Sequence, residues 1–229
     1  MPKIYLSPAA HGRDNPCGYD SACGENIHCN LYIDELEPYL LACGFEVKRN
    51  PKDRTGDRLK EAIAESNAWG ADLHYVAHTN AGGGAYSLLM VYDQGTAYGY
   101  AEKLAARRRE IYAGNVKISV QPQWDELRLT AAPAIYAEMV FHDNVKDIAW
   151  FHEHLREMAE ATAKAICDMF GAAFVDPYAK PAEPAPEPES GGDVWYRVQV
   201  GAFREKANAD RLCAELQGKG YAAFVKAGA

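Results

Sequence analysis

The chain contains no run of 18 or more apolar residues, so nothing in it reads as a helix long enough to cross a bilayer. Its start, MPKIYLSPAAHG, has neither a separate apolar segment nor a small-residue cleavage site. It reads as a first strand rather than a secretory signal. The expectation is cytoplasmic synthesis, with any target outside the membrane reached only after release. An excess of positive charge is also missing. There are 24 Lys+Arg against 32 Asp+Glu, a net charge of −8. The acidity lies in residues 1–178, with 17 basic and 25 acidic side chains, whereas residues 179–229 carry 7 of each. A nucleic-acid partner would want a basic face, so none is expected. Arg107, Arg108 and Arg109 form the one basic run. Late in a helical stretch, it reads as a solvated helix end. Gly82-Gly83-Gly84 lacks the Lys-Ser/Thr ending and following helix of a phosphate loop, and reads instead as a mobile rim beside His78.

Six cysteines are present, at positions 17, 23, 29, 43, 167 and 213. Reduced thiols are the default for a chain made in the cytoplasm. The six-residue recurrence of Cys17, Cys23 and Cys29 matches no common zinc spacing. Free thiols near a loop are therefore expected over a metal cluster.

What the chain does have is enough apolar material, 48% of its residues, to bury a sizeable core. Its composition breaks once, at AKPAEPAPEPESGGD (179–193), where alternating Pro, Ala and Glu predict an extended linker. The expected organisation is a large domain over 1–178, the linker over 179–193 and a small module over 194–229.

In the large domain, strand and helix signals alternate. Strands are expected at Lys3–Ser7, Phe45–Arg49, Leu73–His78, Tyr86–Tyr92 and Ala134–Phe141. Helices are expected from Glu25 to about Cys43 (with Ile27, Leu31, Leu36, Leu40 and Leu41 on the apolar side), over 57–69, over 96–112, and from Asp147 to Phe170. Gly44 and Gly171 stand as helix stops. This pattern predicts an α/β fold, three layers with a mostly parallel twisted sheet flanked by helices. The tail, VWYRVQVGAF then REKANADRLCAELQGKG then YAAFVKAG, reads as strand, helix, strand: a small α+β module. Its first strand alternates Trp195, Arg197 and Gln199 with Tyr196, Val198 and Val200.

Sites in such sheets gather at the carboxyl ends of strands, and four chemistry-bearing residues stand out, three of them placed by strands. His11 follows the first strand and His78 ends another. Glu25 opens the first helix, and Glu138 lies within an apolar strand, where an ionised group needs a partner or a purpose. Two histidines and a carboxylate suit one zinc ion with an open fourth position, and a further carboxylate suits a proton carrier. Each has rivals. His74 shares a strand side with His78, and Asp20 lies close to Glu25. His28, His142, His152 and His154 read first as satisfied polar groups. His152 and His154, two apart on a helix, face different ways.

The contexts of these residues resemble the zinc-dependent N-acetylmuramoyl-L-alanine amidases of the Amidase_3 type over nearly all of residues 3–171. SPAAHG stands for a strand ending in a Gly-His-Gly-like turn, with Ala10 in place of the usual glycine. GENIHCNLYIDELEPYLLACGFEV stands for the helix that starts with a metal-binding Glu. VAHTNA stands for a Ser-x-His-x-Asn-Ala-like segment, and Pro133, Glu138, Phe141 and Asn144 match the segment with the catalytic Glu. The resemblance implies that His11, Glu25 and His78 bind Zn2+, and that Glu138 is catalytic. The reaction implied is hydrolysis of the amide between N-acetylmuramic acid and L-alanine in peptidoglycan. The missing secretory signal suggests a phage lysis enzyme first and a host autolysin second. His142, Asp143 and the cysteines around Glu25 depart from the family pattern. WYRVQVGAFREKANADRLCAELQGKGYAAFV resembles the first half of a SPOR domain, which implies binding to peptidoglycan glycan strands.

Overall fold

Short apolar segments become the strands of one six-stranded sheet in the order β2-β1-β3-β6-β4-β5. The computed structural model describes residues 1–11, 14–17, 19, 23–50, 58–179 and 198–226. Along the chain run β1 (Lys3–Pro8), α1 (Glu25–Ala42), β2 (Glu46–Arg49), α2 (Leu59–Trp69), β3 (Leu73–Asn80) and β4 (Tyr86–Val91). There follow α3 (Thr96–Ile111), β5 (Asn115–Val120), the single turn α4 (Asp125–Arg128), β6 (Ala134–Phe141), α5 (Val145–Glu153), α6 (Leu155–Phe170) and α7 (Lys206–Gly218). The chain divides into two compact units, Met1–Lys180 and Pro181–Ala229.

The sheet is mostly parallel. β2, β1, β3 and β6 run parallel to their neighbours, as do β4 and β5, and the two blocks meet antiparallel where β4 pairs β6. The central strands carry near-continuous apolar runs because helices cover both faces. One face packs Leu6, Tyr75, Ala77 and Ile135 against Tyr32, Ile33 and Leu36 of α1, Leu104 of α3, and Ala163 and Ile166 of α6. The other face holds a smaller cluster of Val76, Met90, Ala134 and Tyr136 around Leu127 of α4. Tyr5 donates to Glu65 of α2 at 2.8 Å.

Several expectations change. β5 and α4 are absent from the sequence reading. NVKISV (115–120) alternates polar and apolar residues but is only six residues long, and it lies at the sheet edge, with Ile118 only partly buried and Val120 exposed. The expected helix from Asp147 to Phe170 is two helices. His154 leaves helical geometry at φ −117°, its ring stacked on Trp150 and its Nδ1 paired with the Trp150 carbonyl at 2.9 Å. The buried stripe of α1 is not the one expected. Leu36 and Leu40 are buried, but Ile27, Leu31 and Leu41 are exposed. Glu25, His28, Cys29, Tyr32, Ile33 and Tyr39 take the inner positions instead, a three-and-four spacing that includes polar residues. Gly44 and Gly171 do end their helices, in the left-handed region at φ 84° and 66°.

Arg108 is no solvated helix end. It is 1% exposed and donates to Ser87 Oγ at 2.8 Å and to the Tyr75 hydroxyl at 3.4 Å. The Gly82–Gly84 rim is fastened rather than loose, since the Gly82 and Gly83 amides donate to Asp143 at 2.7 and 3.0 Å. Cys17 and Cys23, expected as free thiols, are joined as a disulfide, because Pro16 and Gly24 pair antiparallel and bring their neighbours side by side. Cys29, Cys43, Cys167 and Cys213 are free.

In the second unit α7 forms, but residues 198–203 and 221–226 on either side of it carry no strand. A strand needs a hydrogen-bonded neighbour, and none is present among the described residues of this unit. Trp195, Tyr196 and Arg197 lie outside the described residues, as do residues 180–193 of the expected linker.

Candidate metal and catalytic site

Three adjacent parallel strands, β1, β3 and β6, end at the same edge of the sheet. His11 lies three residues beyond the end of β1, and His78 lies in the last turn of the pleat of β3. β6 brings Glu138 into register with His78. The first residue of α1 is Glu25, whose carboxylate reaches across to both histidines. His78 Nδ1 lies 2.9 Å from Glu25 Oε1, and His11 Nε2 lies 3.1 Å from Glu25 Oε2. The two imidazoles meet edge to face at 5.1 Å. One donor atom from each of His11, Glu25 and His78 lies within 4.8 Å of the others. Tyr136 packs against the His78 ring at 4.6 Å, and Trp124 packs against Tyr136.

Glu25 is 2% exposed. Burial pushes its pKa up. Hydrogen bonds with His11, His78 and Asn15, together with the charge of His78, outweigh this and hold it far below the usual carboxylate range. It is an anion poised between two imidazoles. Glu138 is the opposite case. Burial raises its carboxyl to about 7, with His78 and His11 lowering it and Glu25 raising it. Its Oε2 is buried and accepts no hydrogen bond among the described residues. Two carboxylates in one site are thus driven apart in protonation, the pattern expected of a ligand and a proton carrier.

Neighbours unnoticed in the sequence hold this geometry. Asn26 clamps the His11 backbone from both sides, its Oδ1 accepting from His11 N at 3.0 Å and its Nδ2 donating to His11 O at 3.1 Å. Asp14 accepts from Asn26 N at 2.8 Å. Asn15 Nδ2 donates to Glu25 Oε2 at 2.6 Å, and Thr79 N donates to Glu25 Oε1 at 3.1 Å. The only sequence hint was that Asn26 directly follows Glu25, since pairing across an undefined loop leaves no spacing to read. Asn144 caps α5 and donates to the Gly84 carbonyl at 2.9 Å. Phe141 packs where a side chain on Gly84 would have to sit, 2.5 Å away. A cleft beside His11 and His78 runs past Tyr136 and Trp124 to Asn50 and Arg58.

The rivals are placed elsewhere. His74 pairs with Glu126 at 2.9 Å, and Glu126 also accepts from Ser7 Oγ at 2.5 Å. Four residues back along β3, it lies about 13 Å from His78 in strand rise. His142 bonds Thr79, and His154 its own helix turn. Asp20 lies outside the described residues. His28 and His152 both approach Cys23.

The donor set fits zinc: two imidazoles and one anionic carboxylate converge with one side of His11 open to solvent, its side chain 39% exposed. The comparisons with known proteins agree with the fold. Residues 160–227 match the SPOR domain family, a span that begins inside α6 and so extends upstream of the tail in which the module was expected. The chain is 30% identical to N-acetylmuramoyl-L-alanine amidase CwlM of Bacillus licheniformis over 242 aligned residues, covering 98% of this chain and 85% of that protein. It is 27% identical to the sporulation-specific N-acetylmuramoyl-L-alanine amidase of Bacillus subtilis, covering 98% of this chain and 84% of that one. Among solved structures it is similar to the catalytic domain of CwlV from Bacillus (Paenibacillus) polymyxa, with a TM-score of 0.66 and 14% identity over 76% of this chain and 100% of that one. On the strength of the Bacillus licheniformis relative, which spans nearly the whole chain, this protein belongs to the N-acetylmuramoyl-L-alanine amidases.

Proposed function

We propose that the protein hydrolyses the amide between N-acetylmuramic acid and the L-alanine of the stem peptide, using a zinc ion held by His11, Glu25 and His78 and a proton carrier, Glu138. The observation that carries this reading is the convergence of three donor atoms within 4.8 Å beside the buried Glu138 Oε2, which has no hydrogen-bond partner among the described residues. Zinc in such a site supplies a Lewis acid that makes water nucleophilic near neutral pH.

The rest is the work of this chain's own side chains. Glu138 Oε2 accepts the proton of the attacking water and returns it to the nitrogen of the departing L-alanine, a shuttle suited to a carboxyl whose burial raises its proton affinity. Glu25 stays ionised throughout and keeps both imidazoles oriented. Asn26 and Asn15 hold His11 and Glu25 in place, so that little reorganisation is needed when the amide arrives. The cleft lined by Tyr136, Trp124 and Arg58 offers an aromatic wall and a cation to a sugar–peptide junction.

The partner in this reading is the cell wall. The SPOR match supports binding to glycan strands by the C-terminal unit, and no described helix is long and apolar enough to cross a membrane. We include the lysis-enzyme setting in the proposal: a culture making the chain in its cytoplasm is expected to lyse only when its inner membrane is breached.

Digestion of purified peptidoglycan with and without a chelator, followed by mass analysis, tests the reaction. Intact stem peptides beginning with L-alanine, released only when zinc is present, are expected. A different new amine would point to cleavage within the stem peptide. No release, with the protein still pelleting with the wall, would reduce it to a binding protein.

A further inference from the structure

A second group of metal-ligating side chains lies one helical turn from Glu25. The donor atoms of Cys17, Cys23 and His28 all lie within 4.8 Å of one another. His28 is fully buried on α1, and its Nε2 is 2.5 Å from Cys23 Sγ. His152, on α5, brings its Nε2 to 3.8 Å from the same sulfur and meets the His28 ring edge to face at 4.9 Å. The ring of Tyr19 stacks on His152 at 4.3 Å. Two sulfurs and the His28 imidazole thus form one group, and a second imidazole, that of His152, stands beside it within 3.8 Å of Cys23 Sγ.

The disulfide explains why the sulfurs are together, but not why imidazoles are directed at them. A disulfide sulfur is a feeble hydrogen-bond acceptor and gains little from two histidines. A thiolate pair with two neutral imidazoles is the donor set of a closed structural zinc site. Around one tetrahedral ion, sulfur and nitrogen donors stand about 3.5–3.8 Å apart; the Cys23–His152 separation of 3.8 Å matches this, and His28 at 2.5 Å from Cys23 would move outward as an ion enters. The catalytic group His11, Glu25 and His78 contains no sulfur and shares no residue with this one.

We propose that, with Cys17 and Cys23 reduced, these cysteines together with His28 and His152 form a second, structural metal site for a thiolate-preferring divalent cation of the zinc type. A phosphine reductant and one water convert the disulfide into two thiols and a phosphine oxide. Binding of the cation then releases the two thiol protons and leaves two thiolates and two neutral imidazoles around it. The site clamps the loop that presents Asn15 to Glu25 and Asp14 to Asn26. The cross-link closes that loop just ahead of α1, and the metal form would fasten it to His28 in the first turn of the helix. The spacing, Cys-x5-Cys-x4-His with a distant fourth donor, follows no common zinc pattern, which is why the sequence pointed away from a metal.

The test is cobalt titration of the full chain, stripped of metal, reduced with phosphine and kept free of oxygen. The expected result is two cobalt ions per chain and a near-ultraviolet thiolate-to-cobalt charge-transfer band, which only a sulfur-ligated ion produces. In the Cys17→Ser/Cys23→Ser variant the band should vanish while one cobalt ion is retained. In His78→Ala the band should persist at full strength, which separates this site from the catalytic one. His28→Gln and His152→Gln should each weaken band-forming affinity at least tenfold. Absence of the band from wild-type protein whose thiols titrate as free would overturn the proposal. So would a band that survives in the double serine variant, because it would belong to other cysteines. An unchanged affinity in His152→Gln would overturn the assignment of the fourth ligand.

Discussion

His78 and Glu138 are register partners on the adjacent parallel strands β3 and β6, so their side chains leave the sheet on the same face. Both are 8% exposed. This pairing sets a carboxyl beside an imidazole at the strand ends, where Glu25 meets the same imidazole from α1. The carboxyl with a protonated tendency and the carboxylate held as an anion are therefore neighbours of one histidine.

Glu138→Gln should keep metal content and fold while lowering the rate of stem-peptide release by about 10²–10⁴-fold, the usual worth of a positioned proton carrier. Turnover on purified peptidoglycan, together with metal analysis, checks it. Wild-type turnover in this variant would remove Glu138 from the reaction.

The same residue predicts a pH dependence of stability in the metal-free protein. Folding raises the Glu138 carboxyl from its ordinary 4.5 to about 7, chiefly through burial. Its contribution to stability is complete below about pH 4.5 and is lost as pH rises through about 7. Above that, the buried anion costs on the order of 3 kcal/mol. Metal-free wild type should therefore lose stability relative to metal-free Glu138→Gln across this window. Parallel denaturation curves at pH 4 and pH 8 with an unchanged gap would contradict the shift.

His78→Ala should abolish catalytic-site zinc binding, because one of three protein donors is lost and Glu25 is left with a single imidazole. Equilibrium dialysis under conditions that keep the Cys17–Cys23 disulfide intact reads this site alone. Unchanged zinc content would shift the ligand role to His74, against the 2.9 Å pairing of that residue with Glu126.

Asn26→Ala should weaken zinc affinity about 10–100-fold, the usual cost of losing a partner that orients a ligand. The Asn26 side chain bonds the His11 backbone on both sides, so Asn26→Asp, which keeps the acceptor for His11 N, should recover part of the affinity. Equal loss in both variants would mean that the effect is one of general folding.

Arg108→Ala should destabilise the catalytic unit by about 2–3 kcal/mol, since it empties a buried site and removes the donor to Ser87 and Tyr75. Arg107→Ala, half-exposed and paired with Asp168, should cost less than about 1 kcal/mol. Chemical denaturation of the two variants gives the comparison, and similar losses would show that the burial of Arg108 has no energetic weight.

Local chemistry was legible in the chain because it is written in short spacings. Alternation and helical periodicity located β1, β3, β6 and α3, and Gly44 and Gly171 marked helix ends by the freedom that a positive φ requires. Residue types and their contexts also singled out His11, Glu25, His78 and Glu138 as candidates, four positions spread over more than a hundred residues. What only the tertiary structure decided depended on partners distant in sequence. β5 alternates in sequence, but its place as an edge strand is set by β4, which supplies its hydrogen bonds. Arg108 is buried because β3 and β4 bring Tyr75 and Ser87 beneath α3, whereas the run of three arginines read as solvent-facing. The inner stripe of α1 turned on which side met the sheet, and that side carries Glu25 and His28 rather than Ile27 and Leu31. The same folding step that placed Glu25 between two histidines also placed His28 against Cys23 and within reach of His152. Periodicity reports which faces are apolar; only packing reports which polar side chains have been folded inward to meet.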